Sequence, residues 1–502
     1  MTRSPPRPLT ADRSAIRTDA RDLRRGVAIN IGGYVLKGAY SAFVFVAILL
    51  YGKHDFGLFT VAQAGIFIVA RACMMGLDKA ILWWVPRQDP ERERLGLPSA
   101  LLGVGIFGAV GALAVGTFLA PLIAGWSGEP EAAAGLRLMA VGLVPLVLTE
   151  VLISACLGKR RMAVQVVVRE AVMSVAMLVC AVGFHLGGLG GIGLPLAFVV
   201  SNVLGLAASL LAFRRVFAGS RWPVKRVWPP RPLVRYALPM WGTELLTSVH
   251  LRMDVLVLGV LTDAGTVGIY GAVLQVGNVL RSVRRAFDPI VLAIVSQIGS
   301  RHDPARLTAG ISHATVLAVA TQLPIYAFLL AFTPWIMPLL GEGFDQATPA
   351  VLILTGFFLV SGVIGLKGHV VNGYGRSDLA LANVGVTIAV EALLLWMLVP
   401  PFGLEGAAIA AGGACVFQNL LQVFEARLIT GSWSYDRSVA RVLALGLVAS
   451  AAMALGWIGL AEIGDVGQRI GSFSVFVAVA GLGLLYAVRR RLLTVRGPGR
   501  AE

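Results

Sequence analysis

Apolar residues in this chain run in long blocks, without the alternation of a half-buried strand or the one-sided stripe of a surface helix. About 20 consecutive apolar residues carry a helix across a bilayer, and blocks of that length recur from end to end. The pattern predicts membrane spans near residues 26–51, 57–85, 98–121, 135–157, 164–186, 191–213, 236–260 and 266–290. Six more follow near 307–331, 346–366, 378–399, 405–428, 439–461 and 470–488. The expectation is an all-α polytopic membrane protein of about fourteen transmembrane helices, with both termini on one side. The longest connection is the 22-residue basic stretch Arg214 to Arg235, so neither face has room for a soluble catalytic domain.

Composition narrows the class. With 57% hydrophobic and 14% charged residues and a mean hydropathy of +0.79, the chain is far from a soluble domain, which carries about 25% charged residues. The apolar content also excludes disorder, and the 59 glycines show no period of three, which excludes collagen. Cys73, Cys156, Cys180 and Cys415 lie inside apolar blocks with no close spacing. They read as small core residues, with no disulfide framework and no metal site.

The net charge of +16 would fit a nucleic-acid binder, but its placement argues against one. Of 43 Lys and Arg, 32 fall in the two tails and in alternate turns, while the opposite turns hold only Lys53 and Arg469. That bias predicts cytoplasmic termini and accounts for most of the charge without a polyanionic partner. The Arg-rich segment Arg3 to Arg25 does not read as a secretory signal. The apolar block after it is too long, contains Lys37 and has no small-x-small cleavage pattern.

An internal repeat is visible at an offset of 211–217 residues. Phe56-Gly57-Leu58-Phe59 matches Val267-Gly268-Ile269-Tyr270. Gly158-Lys159-Arg160-Arg161-Met162-Ala163 matches Gly375-Arg376-Ser377-Asp378-Leu379-Ala380, and Gly188-Leu189-Gly190-Gly191 matches Gly403-Leu404-Glu405-Gly406. The repeat unit of six helices is even, so both copies enter the membrane in the same orientation. Two six-helix lobes related by a pseudo-two-fold axis along the membrane normal are expected, with a substrate path between them. The layout is a basic tail (1–25), an N-lobe (26–213), a basic linker (214–235), a C-lobe (236–428), two further helices (429–488) and a second tail (489–502).

Charges inside spans carry the functional signal, since each costs on the order of 3 kcal/mol or more at the bilayer centre unless it faces a cavity or a partner. The first span holds Lys37, with Tyr34 and Ser41 on its face; the second holds Arg71 and, on the same face, Asp78. The seventh holds Glu244, His250, Arg252 and Asp254. In the eighth, Gln275, Asn278, Ser282 and Arg285 recur at steps of 3, 4 and 3 as a continuous polar stripe, flanked by Arg281 and Arg284. Competing readings are structural. The three arginines could snorkel to cytoplasmic head groups, Arg71 and Asp78 could form an internal pair, and His250 could reach Asp254 at i+4. Arg169 with Glu170, and Glu425 with Arg427, read as interfacial. A cavity lined by Lys37, Arg71, Arg252, Arg281, Arg284 and Arg285 would be cationic and would favour a phosphate or diphosphate. Pro239 and Pro324 are expected to act as bending points.

These features resemble the polysaccharide biosynthesis proteins, which are lipid-linked oligosaccharide flippases of the multidrug/oligosaccharidyl-lipid/polysaccharide exporter superfamily. The likeness lies in the fourteen spans, the six-plus-six repeat, Asp254-x-x-x-x-Gly259 followed by Val267-Gly268-Ile269-Tyr270, and Gly76-Leu77-Asp78-x-Ala80 with Val85-Pro86. It covers residues 26–488 and implies a bacterial inner-membrane flippase that moves an undecaprenyl-diphosphate-linked saccharide outward by alternating access. Basic residues in helices one, two, seven and eight serve the cavity of the related lipid II flippases, and Lys37, Arg71, Arg252 and Arg281/Arg284/Arg285 occupy comparable helices. The resemblance implies membrane lipids and other polysaccharide-assembly membrane proteins as partners. A monomer is expected because two lobes already complete the symmetry. No cofactor is expected beyond a coupling ion, sodium or a proton, for which Glu244, Asp254 and Asp78 are candidates. The runner-up is a cation-coupled multidrug antiporter of the same superfamily, although its usual first-helix acid is missing and a cationic cavity repels cationic drugs. A membrane saccharide polymerase or glycosyltransferase fits less well, because such enzymes usually carry a long outer loop with paired acids or Asp-x-Asp, whereas the outer loops here are short and the longest acidic one is Gly341-Glu342-Gly343-Phe344-Asp345.

Overall fold

Helices make up all the regular structure among the described residues of the computed structural model. It describes residues 13–87, 90–127, 130–218, 229–299, 304–374, 376–431, 437–460 and 464–489. Ten helical stretches are long and apolar enough to cross a membrane. Two of these are double. Gly38–Met74 contains a non-helical Gly52 (φ 77°) and Leu379–Thr430 a non-helical Gly403 (φ 51°). Each therefore holds two of the expected spans, split where the sequence offers a glycine. Gly403 and its repeat counterpart Gly188 (φ 76°) both take the left-handed conformation.

The expected seventh and eighth spans are helical too, but neither is among the ten. The seventh is broken into α10 (Arg231–His250) and α11 (Met253–Leu261). The eighth, α12 (Ala264–Gly299), carries the arginines. Helix α10 runs through Pro239 and α13 (Pro304–Ile336) through Pro324, as transmembrane helices tolerate proline. The interruption of the seventh span falls instead at Leu251–Arg252, where Arg252 has φ −137° and ψ −4°.

The chain divides into two compact units. Unit one comprises residues 1–47, 69–121 and 133–241. Its hub is α6 (Leu143–Gly158), against which α2 (Leu77–Trp84), α3 (Pro90–Ala114) and α9 (Gly193–Val216) pack. The buried side of α6 is made of Leu143, Leu146, Val147, Val151, Leu152 and Cys156. Unit two comprises residues 48–68, 122–132 and 242–502. There α14 (Ala347–Ile364) and α16 (Ser377–Thr430) form the central pair, α12 and α13 pack on α14, and α17 (Arg437–Gly459) pairs with α18 (Asp465–Arg489). The tip of the first hairpin thus clusters with the C-terminal half.

Candidate functional site

In unit one the second span is itself broken. Met75 (φ 48°) and Gly76 (φ 70°) separate α1 (Arg13–Met74) from α2. A Cβ on Gly76 would lie 2.3 Å from the Ala237 carbonyl oxygen, so the break packs directly on the backbone of α10. At the break Ala72 O accepts from Met75 N at 3.3 Å in place of a helical donor, and the Trp241 indole donates to the same oxygen at 3.1 Å. Arg71 reaches across the break and donates to Asp78 Oδ2 at 3.1 Å. The candidate cation Arg71 and the candidate coupling acid Asp78 are thus partners. Arg169, expected to be interfacial beside Glu170, pairs instead with Glu150 of α6.

In unit two the arginines fall into distinct environments. The Arg252 guanidinium, at the break of the seventh span, stacks 4.2 Å above the Phe67 ring. On α12, Tyr270, Val273, Gly277 and Leu280 form the buried face, and Gln275, Asn278, Ser282 and Arg285 the opposite, more open one. Asn278 and Arg285 are exposed, while Gln275 and Ser282 are half-buried. Arg281 sits between these faces, and Arg284, four residues after Leu280, continues the buried one. Arg281 stands 4.2 Å over the Phe358 ring of α14. Arg284 lies 3.7 Å from Asp288 and close over Gly365, where a Cβ would meet its Nη1 at 3.1 Å and Asn419 Oδ1 at 3.0 Å. Arg285 is within electrostatic range of Arg281, Arg284, Asp288 and Cys415. Arg281 and Arg284 therefore turn towards neighbouring helices, where a snorkelling chain would extend along its own helix to the interface. The residues around them are polar: Asn419 donates to Ser361 Oγ at 2.6 Å, and Ser361 lies 3.5 Å from Cys415 Sγ.

The acids behave differently from the i+4 expectation. Asp254 accepts from the Tyr270 hydroxyl at 3.0 Å and from Val255 N at 2.8 Å. His250 pairs with Glu391 of α16, Nδ1 to Oε2, at 2.6 Å. Glu391 was not singled out in the sequence; its only signal there is an isolated acid in an apolar run. Glu425, expected at the interface, is buried and accepts from Asn383 Nδ2 at 2.6 Å. Glu244 is half-buried. Lys37 lies outside the residues whose side chains the structure describes.

The polysaccharide biosynthesis protein family matches residues 23–286, more than half the chain. The chain belongs to that family. No curated protein matches it in sequence. Among solved structures it is similar to the lipid II flippase MurJ in an inward closed conformation, with 11% identity and a TM-score of 0.75, over 92% of this chain and 100% of that one. It is also similar to an inward-facing multidrug resistance MATE family transporter of the MOP superfamily, at 14% identity and a TM-score of 0.65, over 79% and 94% of the two chains. A third is a MOP superfamily transporter from Pyrococcus furiosus, described as having a binding pocket of reversed polarity, at 15% identity and a TM-score of 0.58, over 83% and 96%. The family member thus has the fold shared by these transporters.

Proposed function

We propose that the protein is a flippase for an undecaprenyl-diphosphate-linked oligosaccharide, acting in a bacterial inner membrane with both termini in the cytoplasm. The observation that carries this reading is the clustering of Arg281, Arg284 and Arg285 around Phe358, Gly365 and Asn419. Guanidinium groups held by stacking and packing present donors suited to phosphate oxygens. The exposed Arg285 and Asn278 offer a polar path for the saccharide, and the polyprenyl tail stays in lipid. Alternating access comes from rocking of two lobes, and substrate binding needs no cofactor or enzymatic step. The protein works as a monomer alongside other polysaccharide-assembly membrane proteins.

The test is flipping of a fluorescent polyprenyl-diphosphate saccharide in proteoliposomes by wild type, Lys37→Ala and Arg285→Ala. Wild-type flipping that is lost in the variants supports the reading. A second reading, a cation-coupled multidrug antiporter, is favoured by the buried acids Asp254 and Glu391. Efflux of a cationic dye by wild type, with no flipping, would establish that alternative.

A further inference from the structure

An arginine inside a membrane span can be held in two ways, which leave it with different capacities. A carboxylate partner takes up N–H groups at the guanidinium edge. An aromatic ring covers the face and leaves the five edge N–H groups able to donate. Arg71 is held the first way, through Nη1 to Asp78 Oδ2 at 3.1 Å. Arg252 and Arg281 are held the second way. Each guanidinium stands 4.2 Å from a phenylalanine ring centroid, Arg252 over Phe67 and Arg281 over Phe358.

Phe67 belongs to the second span, whose outer part lies along α11 and α12. The approach is close at two points before Phe67 is reached. A Cβ on Gly57 would be 1.8 Å from the Ala264 carbonyl oxygen, and one on Gly259 would be 2.8 Å from Val61 Cγ2. That packing fixes where the Phe67 ring sits. The break in the seventh span fixes the backbone of Arg252. Its N–H donates to Val249 O at 3.0 Å, and its carbonyl accepts from Leu256 N at 3.1 Å. Ring and arginine backbone are both anchored, and the stack ties the side chain between them. Phe67 is half-buried. Phe358 is 3% exposed and packed on α12, where a Cβ on Gly277 would meet its Cε2 at 3.2 Å.

We propose that Phe67 is a positioning residue for the anionic substrate: its ring holds the Arg252 guanidinium by the face, so that the edge N–H groups are oriented before phosphate oxygens arrive. This role rests on the diphosphate reading above. It adds to that reading an anchored arginine from the seventh span, in addition to those of the eighth. A side chain free to turn must be ordered when the ligand binds. Immobilising one in advance is worth roughly two- to tenfold in affinity. Phe358 does the same for Arg281, but it is also part of the core, so its replacement would disturb packing and recognition together. Phe67 separates the two.

The test is the dissociation constant of farnesyl diphosphate for the full chain in liposomes. It is measured for wild type, Phe67→Leu, Phe67→Tyr, Arg252→Ala and the double variant Phe67→Leu with Arg252→Ala. Leucine keeps an apolar side chain and removes the ring face, whereas tyrosine keeps the face. Phe67→Leu is expected to weaken binding by roughly two- to tenfold, and Phe67→Tyr to bind as wild type does. Once Arg252 is alanine, Phe67→Leu is expected to have no further effect. If Phe67→Leu does not insert, Phe67→Met, also without a ring, takes its place. Wild-type affinity in Phe67→Leu overturns the positioning role and leaves the diphosphate reading intact. So does an equal weakening with and without Arg252, because the ring then acts through packing alone. A wild type that does not bind farnesyl diphosphate overturns the diphosphate reading and the positioning role together.

Discussion

Gly57 and Gly268, equivalent residues of the two repeats, lie against each other. A Cβ on Gly57 would be 2.9 Å from Gly268 N and 1.8 Å from the Ala264 carbonyl oxygen, and one on Gly268 would be 1.9 Å from the Lys53 carbonyl oxygen. The turns Phe56-Gly57-Leu58-Phe59 and Val267-Gly268-Ile269-Tyr270 therefore pack backbone to backbone.

The obstructing atoms at this contact are backbone and cannot swing aside, so even a methyl group must push the helices apart. Gly268→Ala is expected to destabilise the protein by about 1–3 kcal/mol, as overpacking does, and to lower the thermal midpoint in detergent. Gly65→Ala is the control, because nothing lies within 4 Å of its Cβ and alanine is favoured over glycine in a helix by roughly 1 kcal/mol. A Gly268→Ala protein as stable as wild type would contradict the close approach.

Arg71 and Asp78 bridge the break in the second span, with Asp78 almost fully buried. Removing one partner of such a pair strands a charge and costs about 3–5 kcal/mol, whereas replacing both by apolar residues of similar volume is often neutral. Asp78→Ala is expected to lower stability sharply, and Arg71→Met with Asp78→Leu to recover most of it. Because Asp78 already occupies Arg71, the double variant is expected to keep flipping activity. A stable double variant without transport would show that Arg71 serves the substrate directly.

The helices, the repeat and the Arg71–Asp78 pair were legible because the bilayer demands apolar length and because residues seven apart share a helix face. The stripe on α12 was legible for the same reason, and its residues do form the open side of that helix. The break at Leu251–Arg252 was not, since neither glycine nor proline marks it and Pro239 offered a stronger local signal. Nor was Glu391, whose partner His250 is 141 residues away. Arg169 shows the same limit: its neighbour Glu170 was the visible acid, and its partner Glu150 lies 19 residues back on another helix.

Trp241 gives a local test of the second-span break. Its indole N–H donates to Ala72 O, and Phe at this position keeps a ring but supplies no donor. Met75 N also donates to Ala72 O, at 3.3 Å, so Trp241→Phe is expected to cost about 0.5–1.5 kcal/mol, the net worth of one hydrogen bond, read as a lower midpoint of thermal unfolding. An unchanged midpoint would mean that the Met75 N–H alone satisfies Ala72 O.

Gly365 separates the role of arginine position from that of arginine charge. It lies in the 3₁₀ turn Gly365–Lys367 that follows α14, and its missing side chain leaves room for Arg284 Nη1 and Asn419 Oδ1. At 3.1 and 3.0 Å these tips lie closer than an ordinary contact with a Cβ, and both belong to flexible side chains that can move aside. Gly365→Ala therefore keeps every charge while displacing the guanidinium by a few tenths of an ångström, and Gly365→Val displaces it further. Loss of a hydrogen bond to a charged group is worth about 1.5–3 kcal/mol, which corresponds to roughly ten- to a hundredfold in affinity. Arg284→Ala is expected to weaken farnesyl diphosphate binding by that amount, Gly365→Val by a similar amount, and Gly365→Ala by less. The graded series, measured alongside thermal midpoints, isolates geometry from folding. If Gly365→Val binds as tightly as wild type while Arg284→Ala does not, Arg284 acts through charge alone and its placement over Gly365 has no part in recognition.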